Sequence, residues 1–290
     1  MRFITENFKS IDEMIKVLDS RPKNQIMRNC NSSEKPEREF TWYGTDSYTE
    51  AISLIKKGYT EILPDIKKQV REQSKNYSNL FTVNKRIPQN AVIGYVPNVP
   101  NAIRNLPNSM ITINKIPQKK KVISIIYSIA GSCGESQEFF IKAGATLLTA
   151  IKSLEAQGIS VELSVGFMGA KDLNESEIIF PTVKVKSYGQ ELDLQKLCFP
   201  LAHPSMFRRF GFKYLETCPD ITKNYFSFSY GTPIRDLSII KENLKCKNDS
   251  VVVLNSYWIR ENGYDVKKIV EKLQNNKIIN KGADYTWDIR

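Results

Sequence analysis

Histidine occurs once in this chain, at His203, and the five cysteines, Cys30, Cys133, Cys198, Cys218 and Cys246, include no C-x-x-C pair. Zinc needs clustered Cys and His ligands, and a disulfide framework needs an even, patterned set of thiols, so neither is expected. No apolar run approaches the ~18 residues of a membrane span, which excludes an integral membrane protein. No membrane partner is expected. The start, MRFITENFKS, lacks the positive end and the apolar stretch of roughly 7–15 residues that mark a secretory signal. Reduced core thiols in a cytoplasm are therefore expected. G-x-G-x-x-G is absent, and the glycines around Gly131 and Gly134 have no P-loop lysine beside them.

What is present is a 290-residue chain with 41% hydrophobic and 25% charged residues, a globular composition that allows one large or two small domains. Its net charge of +11 is uneven. Residues 1–121 hold 21 basic and 12 acidic side chains, whereas residues 122–290 hold 21 and 19. The asymmetry places a boundary near Lys119-Lys120-Lys121 and divides the chain into a basic, mainly helical region, 1–118, and an α/β domain, 119–290. The basic excess reads either as a solvated surface with a basic linker or as a site for an anionic partner such as nucleic acid, with Lys119, Lys120 and Lys121 as its contacts. No helix-turn-helix, zinc finger or aromatic RNP-like strand accompanies the charge, so sequence-specific base reading has no support.

In the N-terminal region Phe8, Ile11, Ile15 and Leu18 stand at helical spacing, and residues 21–38 read as an exposed connection. Asp46 or Ser47 caps a helix that uses Ala51, Leu54 and Ile55 and stops at Gly58. A further helix, Ile62–Gln73, carries Ile62, Ile66 and Val70 on one face. Prolines 97, 100 and 107 stiffen the segment 94–110, with Tyr95, Val99, Ile103 and Met110 as apolar anchors. It is expected to pack on its own domain, with a rigid docking face as the alternative.

From Val122 the pattern changes. Val122–Tyr127 is a continuous β-branched run, as a buried parallel strand requires. The small-residue loop Ser128–Gly134 follows, then a helix through Phe140, Ala143, Leu147, Ile151 and Leu154 that ends at Gly158, then a strand, Ile159–Phe167. This β-α-β unit predicts a Rossmann-like parallel sheet. Thr182–Ser187 predicts a third strand, Gly231–Leu237 opens a helix with Leu237, Ile240 and Leu244 on its face, and Val251–Leu254 is a short buried strand. Val266–Leu273 is a last amphipathic helix.

This order resembles a von Willebrand factor A domain over roughly residues 122–275. In that family a first strand ends in Asp-x-Ser-x-Ser, a later loop supplies the Thr of a Gly-Thr pair, and another strand ends in Asp; together they hold a divalent metal. Here the positions fall on Ser128-Ile129-Ala130-Gly131-Ser132, on Thr232 of Gly231-Thr232-Pro233, and near Asn255 or Ser256. Both acids are replaced. The stretch 154–162 (LEAQGISVE) and the segment Pro204–Arg209 are similar to the A-type domain of a cobalt-chelatase subunit. The chain is also similar to uncharacterised proteins of phages and mobile elements, so a virion location stands beside the cytoplasmic one.

A hard divalent cation prefers at least one carboxylate, whereas Ser128, Ser132 and Thr232 offer neutral hydroxyls. No metal and no cofactor are expected; Asp236, Glu135 and Glu138 are the acids near enough in sequence to substitute. Cys198 and His203, five residues apart around Pro200, have no orienting acid nearby, and no catalytic constellation is found. Arg208-Arg209, among Phe207, Phe210 and Phe212, reads either as an exposed anion-binding fork or as an internal ion pair involving Glu216. The resemblance therefore implies a non-enzymatic interaction or assembly protein that meets a protein partner through Ser128, Ser132, Thr232, Ser256, Tyr257, Trp258, Arg208 and Arg209. The alternative is a nucleic-acid-associated accessory protein using the basic region.

Overall fold

Four β-branched residues in an apolar-rich run favour a strand, and Lys121–Ser128 lies inside the main sheet with Ile123, Ile125 and Tyr127 buried on one face. The computed structural model describes residues 1–24, 32–34, 40–60, 63–76, 88–113, 121–171, 174–221, 230–234, 236–244, 251–275 and 279–280. The main sheet runs in the order 251–255, 121–128, 159–166, 182–186, 7–8, with 279–280 antiparallel beside the start of the central strand. Val251–Asn255 and Ile159–Gly166 flank the central strand in parallel, so Asn255, Ser128 and Gly166 lie side by side at its carboxyl end.

Thr182–Lys186 runs antiparallel to Ile159–Gly166, which modifies the expected parallel sheet to a mostly parallel one. A parallel return needs a crossover of roughly a dozen residues, usually a helix. The described residues between Gly166 and Thr182 instead hold a β-bridge, Ala170 to Thr232, and a short strand, Glu177–Ile179.

The helix Gln137–Ala156 covers the sheet and is buried on nearly all sides. At Gly144 it approaches the helix Leu194–Ala202 so closely that a Cβ would stand 2.8 Å from Ala202 Cβ and from the Leu201 carbonyl oxygen. The chain leaves this helix through Gly158, whose φ of +81° suits glycine. Two N-terminal helices begin in Ser-x-x-Glu caps whose glutamate reaches the amide one residue before the cap. Ser10 accepts the Glu13 amide while Glu13 accepts that of Lys9, before Ile11–Ser20. Ser47, rather than Asp46, accepts the Glu50 amide while Glu50 accepts that of Asp46, before Tyr48–Lys57. Leu63–Asn76 packs on Gln137–Ala156 through Ile66 and Val70; Ile62 lies outside the described residues.

The expected boundary near Lys119 does not divide two cores. One buried cluster joins Phe8, Met14, Leu18, Tyr43, Ile55 and Ile66 to Ile125, Leu147, Leu254 and Leu273. Nor is the N-terminal region helical from its start. Arg2–Ile4 pairs in parallel with Glu177–Ile179, and Asn7–Phe8 with Thr182–Val183, so Phe8 belongs to a strand and not to the following helix. The expected exposed connection over 21–38 holds a short turn, Ser32–Glu34, with Ser33 fully buried.

Residues 88–113 form a small separate sheet of their own. Pro88–Ala91 and Val96–Pro97 lie on opposite edges of Met110–Ile113, both antiparallel to it, followed by one turn of helix, Val99–Ile103. The chain passes from one edge to the other over Ile111, where a Cβ on Gly94 would lie 2.3 Å from the Ile111 carbonyl oxygen. No residue from Asn90 to Thr112 is buried, contrary to the expected packing on the domain. Among the described residues no helix is long and apolar enough to cross a membrane.

Candidate functional site

In an open α/β sheet, ligands meet the loops beyond the carboxyl ends of the strands. Here the segments after Lys121–Ser128 and Val251–Asn255 meet the residues around Thr232 at a cavity of about 570 Å³ lined by Ser132, Thr232, Pro233, Ile234, Leu237, Asn255, Tyr257, Trp258, Arg260 and Glu261.

Each wall has a local cause. Thr232 reaches the sheet through a two-way bridge with Ala170: the Ala170 amide donates to the Thr232 carbonyl at 2.8 Å, and the Thr232 amide donates back at 2.6 Å. Asn255 ends its strand and caps the helix Ser256–Glu261, accepting the Trp258 amide at 2.7 Å while its Nδ2 donates to the Ile234 carbonyl at 3.2 Å. One amide side chain thus locks two walls together. The Tyr257 hydroxyl accepts the Ser132 amide at 2.7 Å and ties in the third.

Arg260, one turn beyond Tyr257, lies with its guanidinium carbon 4.9 Å from both the Tyr257 and Phe139 ring centres. Its Nη1 donates to both carboxylate oxygens of Glu135 at 2.9 Å. Lys272 sits 4.1 Å over Trp258, and partial burial lowers its pKa. The cavity is thus apolar along Pro233, Ile234, Leu237 and Trp258, with hydroxyls and an ion pair at its rim.

Of the residues expected to face a partner, Ser132, Thr232, Tyr257 and Trp258 line this cavity together. Four do not, and the reason is burial. Ser128 is enclosed between its two neighbouring strands. Ser256 is the first residue of a helix packed inward, and its hydroxyl meets that of Tyr127 at 2.7 Å beneath the sheet end.

Arg208 and Arg209 are 1% and 0% exposed, which corrects their reading as an exposed fork. They lie in the π-helical turn Met206–Gly211, between Leu194–Ala202 and Phe212–Thr217, with Phe207, Phe210 and Phe212 buried around them. Arg208 donates to the carbonyls of Trp42, Ser132 and Glu135, the last two at 3.1 and 3.0 Å, and stacks 4.2 Å from the Trp42 ring centre. Burial lowers its pKa to about 10. Arg209 donates to the Thr45 carbonyl at 2.6 Å and to the Ser33 carbonyl at 3.1 Å, and lies 4.0 Å from the Tyr43 ring centre. Ser33 stands between Arg209 and the expected partner Glu216, which accepts the Ser33 amide and hydroxyl at 3.0 and 2.6 Å.

The acids considered for metal are engaged elsewhere. Glu135 holds Arg260, Glu138 meets Lys142 at 2.6 Å, and Asp236 caps Leu237–Asn243 by accepting from Ser238, which lowers its pKa. Among the described residues no three His, Cys, Asp or Glu side chains cluster as a metal site. Cys198 and His203 are both buried. The thiol donates to the Tyr59 carbonyl at 2.9 Å, and burial raises its pKa to about 11. The imidazole is packed against the rings of Tyr59 and Phe199, each centre 4.6 Å away, and burial lowers its pKa to about 3. Lys119 and Lys120 lie outside the described residues; Lys121 opens the central strand.

Sequence reasoning missed Arg260, Glu261, Leu237 and Ile234 as parts of the site. The i, i+3 spacing of Tyr257 and Arg260 on one helix was the available signal.

The fold and site define an α/β protein with a mostly parallel sheet and a partly apolar cavity at its strand ends. The chain belongs to the family described as Domain of unknown function (DUF7192), whose model matches residues 2–277. Searches of curated proteins and of solved structures found no match.

Proposed function

We propose that this chain is a von Willebrand A-like, non-enzymatic interaction protein that docks a partner protein at the strand-end cavity, in place of the metal-mediated contact of that family. The observation that carries the reading is the convergence of Ser132, Thr232 and Tyr257-Trp258 on one cavity. Ser132 and Thr232 stand at the positions where the A-type resemblance puts the last serine of the first loop and the threonine of the Gly-Thr pair. Where the family's last acid is expected, Asn255 instead bonds the loop walls to each other, so the site is held by hydrogen bonds that need no ion. Arg208 supports the small-residue loop from below in the same way. The groove suits an apolar side chain from the partner, seated against Leu237, Ile234 and Trp258 and rimmed by polar contacts.

The test is affinity capture of the tagged chain from its own host, with and without nuclease, alongside Thr232→Arg, which fills the cavity. A partner that survives nuclease and is lost with Thr232→Arg, at unchanged melting temperature, is the expected result. Capture indifferent to Thr232→Arg overturns the cavity as the docking site.

A further inference from the structure

The helix Leu63–Asn76 takes no part in the strand-end cavity, and its outward face carries an unbroken row of positive charge. Ile66 and Val70 turn into the core. On the opposite side Lys67, Arg71 and Lys75 stand four residues apart, with Lys68 one turn from Arg71, and all four are exposed. At 1.5 Å per residue the row repeats every ~6 Å. Like charges four apart oppose helix formation, and Arg71 has a cation four residues away on either side. Elsewhere the chain fills such positions with opposite charges, Glu138 meeting Lys142 at 2.6 Å and Lys267 meeting Glu271 at 3.8 Å. Among the described residues no acid pairs with Lys67, Lys68, Arg71 or Lys75.

The row borders a hollow. Its four cations line a cavity of about 490 Å³ together with Thr60, Leu63, Pro64 and Glu72. Lys68 and Glu72 also line a second cavity, of about 530 Å³, that reaches Ile141 and Tyr264. The two cavities thus share a wall, which gives room for several residues of a partner.

Charge and composition select the occupant. Only an anion relieves the repulsion along the row. A bilayer is poorly matched, because the apolar face of this helix, Ile66 and Val70, is buried in the core and cannot insert beside the cations. A nucleic-acid strand would bring phosphates against the Glu72 carboxylate, and no aromatic ring lines the basic cavity to stack a base. An acidic protein segment meets each term. Its carboxylates answer the row, Glu72 and the Thr60 hydroxyl can accept its backbone amides, and Leu63 and Pro64 offer apolar surface to its side-chain stems. An extended segment with acids at alternate positions repeats every ~6.6 Å, close to the spacing of the cations.

We propose that the face of Leu63–Asn76 bearing Lys67, Arg71 and Lys75 binds an extended acidic segment of a partner protein, one carboxylate to each cation. This site is separate from the strand-end cavity, and each can fail while the other stands.

The experiment uses the full chain and a fluorescein-labelled peptide of six Glu-Ala repeats, read by anisotropy. Binding should weaken about tenfold or more between roughly 50 and 300 mM salt, because exposed charges are screened over ~10 Å at 0.1 M. Arg71→Glu should weaken binding about tenfold at low salt. The same change gives Lys67 and Lys75 an opposite charge four residues away, so the melting temperature should rise, which separates loss of the site from loss of the fold. With Lys67→Glu, Arg71→Glu and Lys75→Glu combined, the chain should bind a peptide of six Lys-Ala repeats instead.

Any of three results overturns the proposal. The first is no salt-dependent binding of the Glu-Ala peptide, and the second is binding indifferent to Arg71→Glu. The third is displacement of the peptide by a DNA duplex, or by phosphatidylglycerol vesicles, at a lower concentration of negative charge than poly-glutamate requires, which would assign the groove to phosphate.

Discussion

The indole Nε1 of Trp42 donates to the Cys133 carbonyl at 2.6 Å while the guanidinium of Arg208 stacks on the same ring, so a residue from the N-terminal region fastens the loop that forms one wall of the cavity. Arg208 bonds the neighbouring Ser132 and Glu135 carbonyls. Replacing Arg208 with Met should leave three part-buried carbonyls without their donor and cost roughly 1–3 kcal/mol in all. Arg208→Lys should recover little, since an ammonium lacks the planar fork and the stacking face. Urea unfolding of both variants checks this; a lysine variant as stable as the parent would refute it.

His203 should make the protein acid-labile. Its pKa is about 3 in the fold against 6.5 unfolded, so between those values the unfolded chain binds the extra proton. Stability from this residue is complete above pH 6.5 and declines as pH falls toward 3, by about 1.4 kcal/mol per unit. Carboxylates titrate in the same interval, so the comparison is with His203→Asn, which keeps an acceptor for the Ser205 amide now bonded to Nδ1. The parent should lose about 2 kcal/mol more than the variant between pH 6.5 and 4.5, measured by denaturant titration.

Gly44 has a φ of +82°, and a Cβ there would stand 2.8 Å from Pro204 Cγ and 2.9 Å from His203 Cε1. Strain and overlap act together. Gly44→Ala should cost about 2–3 kcal/mol and lower the melting temperature by several degrees. An unchanged melting curve would show that Pro204 yields freely.

Magnesium or manganese at ~10 mM should shift the melting temperature by less than about 1 °C, because stabilisation by a ligand requires preferential binding to the folded chain. Glu135, Glu138 and Asp236 already have partners. A metal-dependent shift that disappears in Thr232→Ala would overturn the ion-free reading of the site.

Much of the strand-end architecture could be read from residue order, because Val122–Tyr127, the helix after it and Val251–Leu254 each carry their own periodicity. Tyr257 and Trp258 followed from where Val251–Leu254 must end, whereas Thr232 came from the Gly-Thr pair of the family resemblance. Arg2–Ile4 and Asn7–Phe8 were not legible: two short strands have no pattern of their own, and their partners lie 175 residues away. Arg208 and Arg209 misled for a different reason. A cation is assigned to the surface by default, and only the carbonyls and rings of Trp42, Tyr43, Ser33 and Thr45, all distant in sequence, make burial tolerable. Thr182–Lys186 was recognisable as a strand, but its direction depends on the connection before it, which carries no periodic signal.

The pairing of residues 2–8 with residues 177–183 also orders assembly on the ribosome. At roughly 5–20 residues per second, the first strands wait about 10–35 seconds for the segment they join. Throughout that interval Phe8, destined for the core, is an apolar residue without the strand it pairs with.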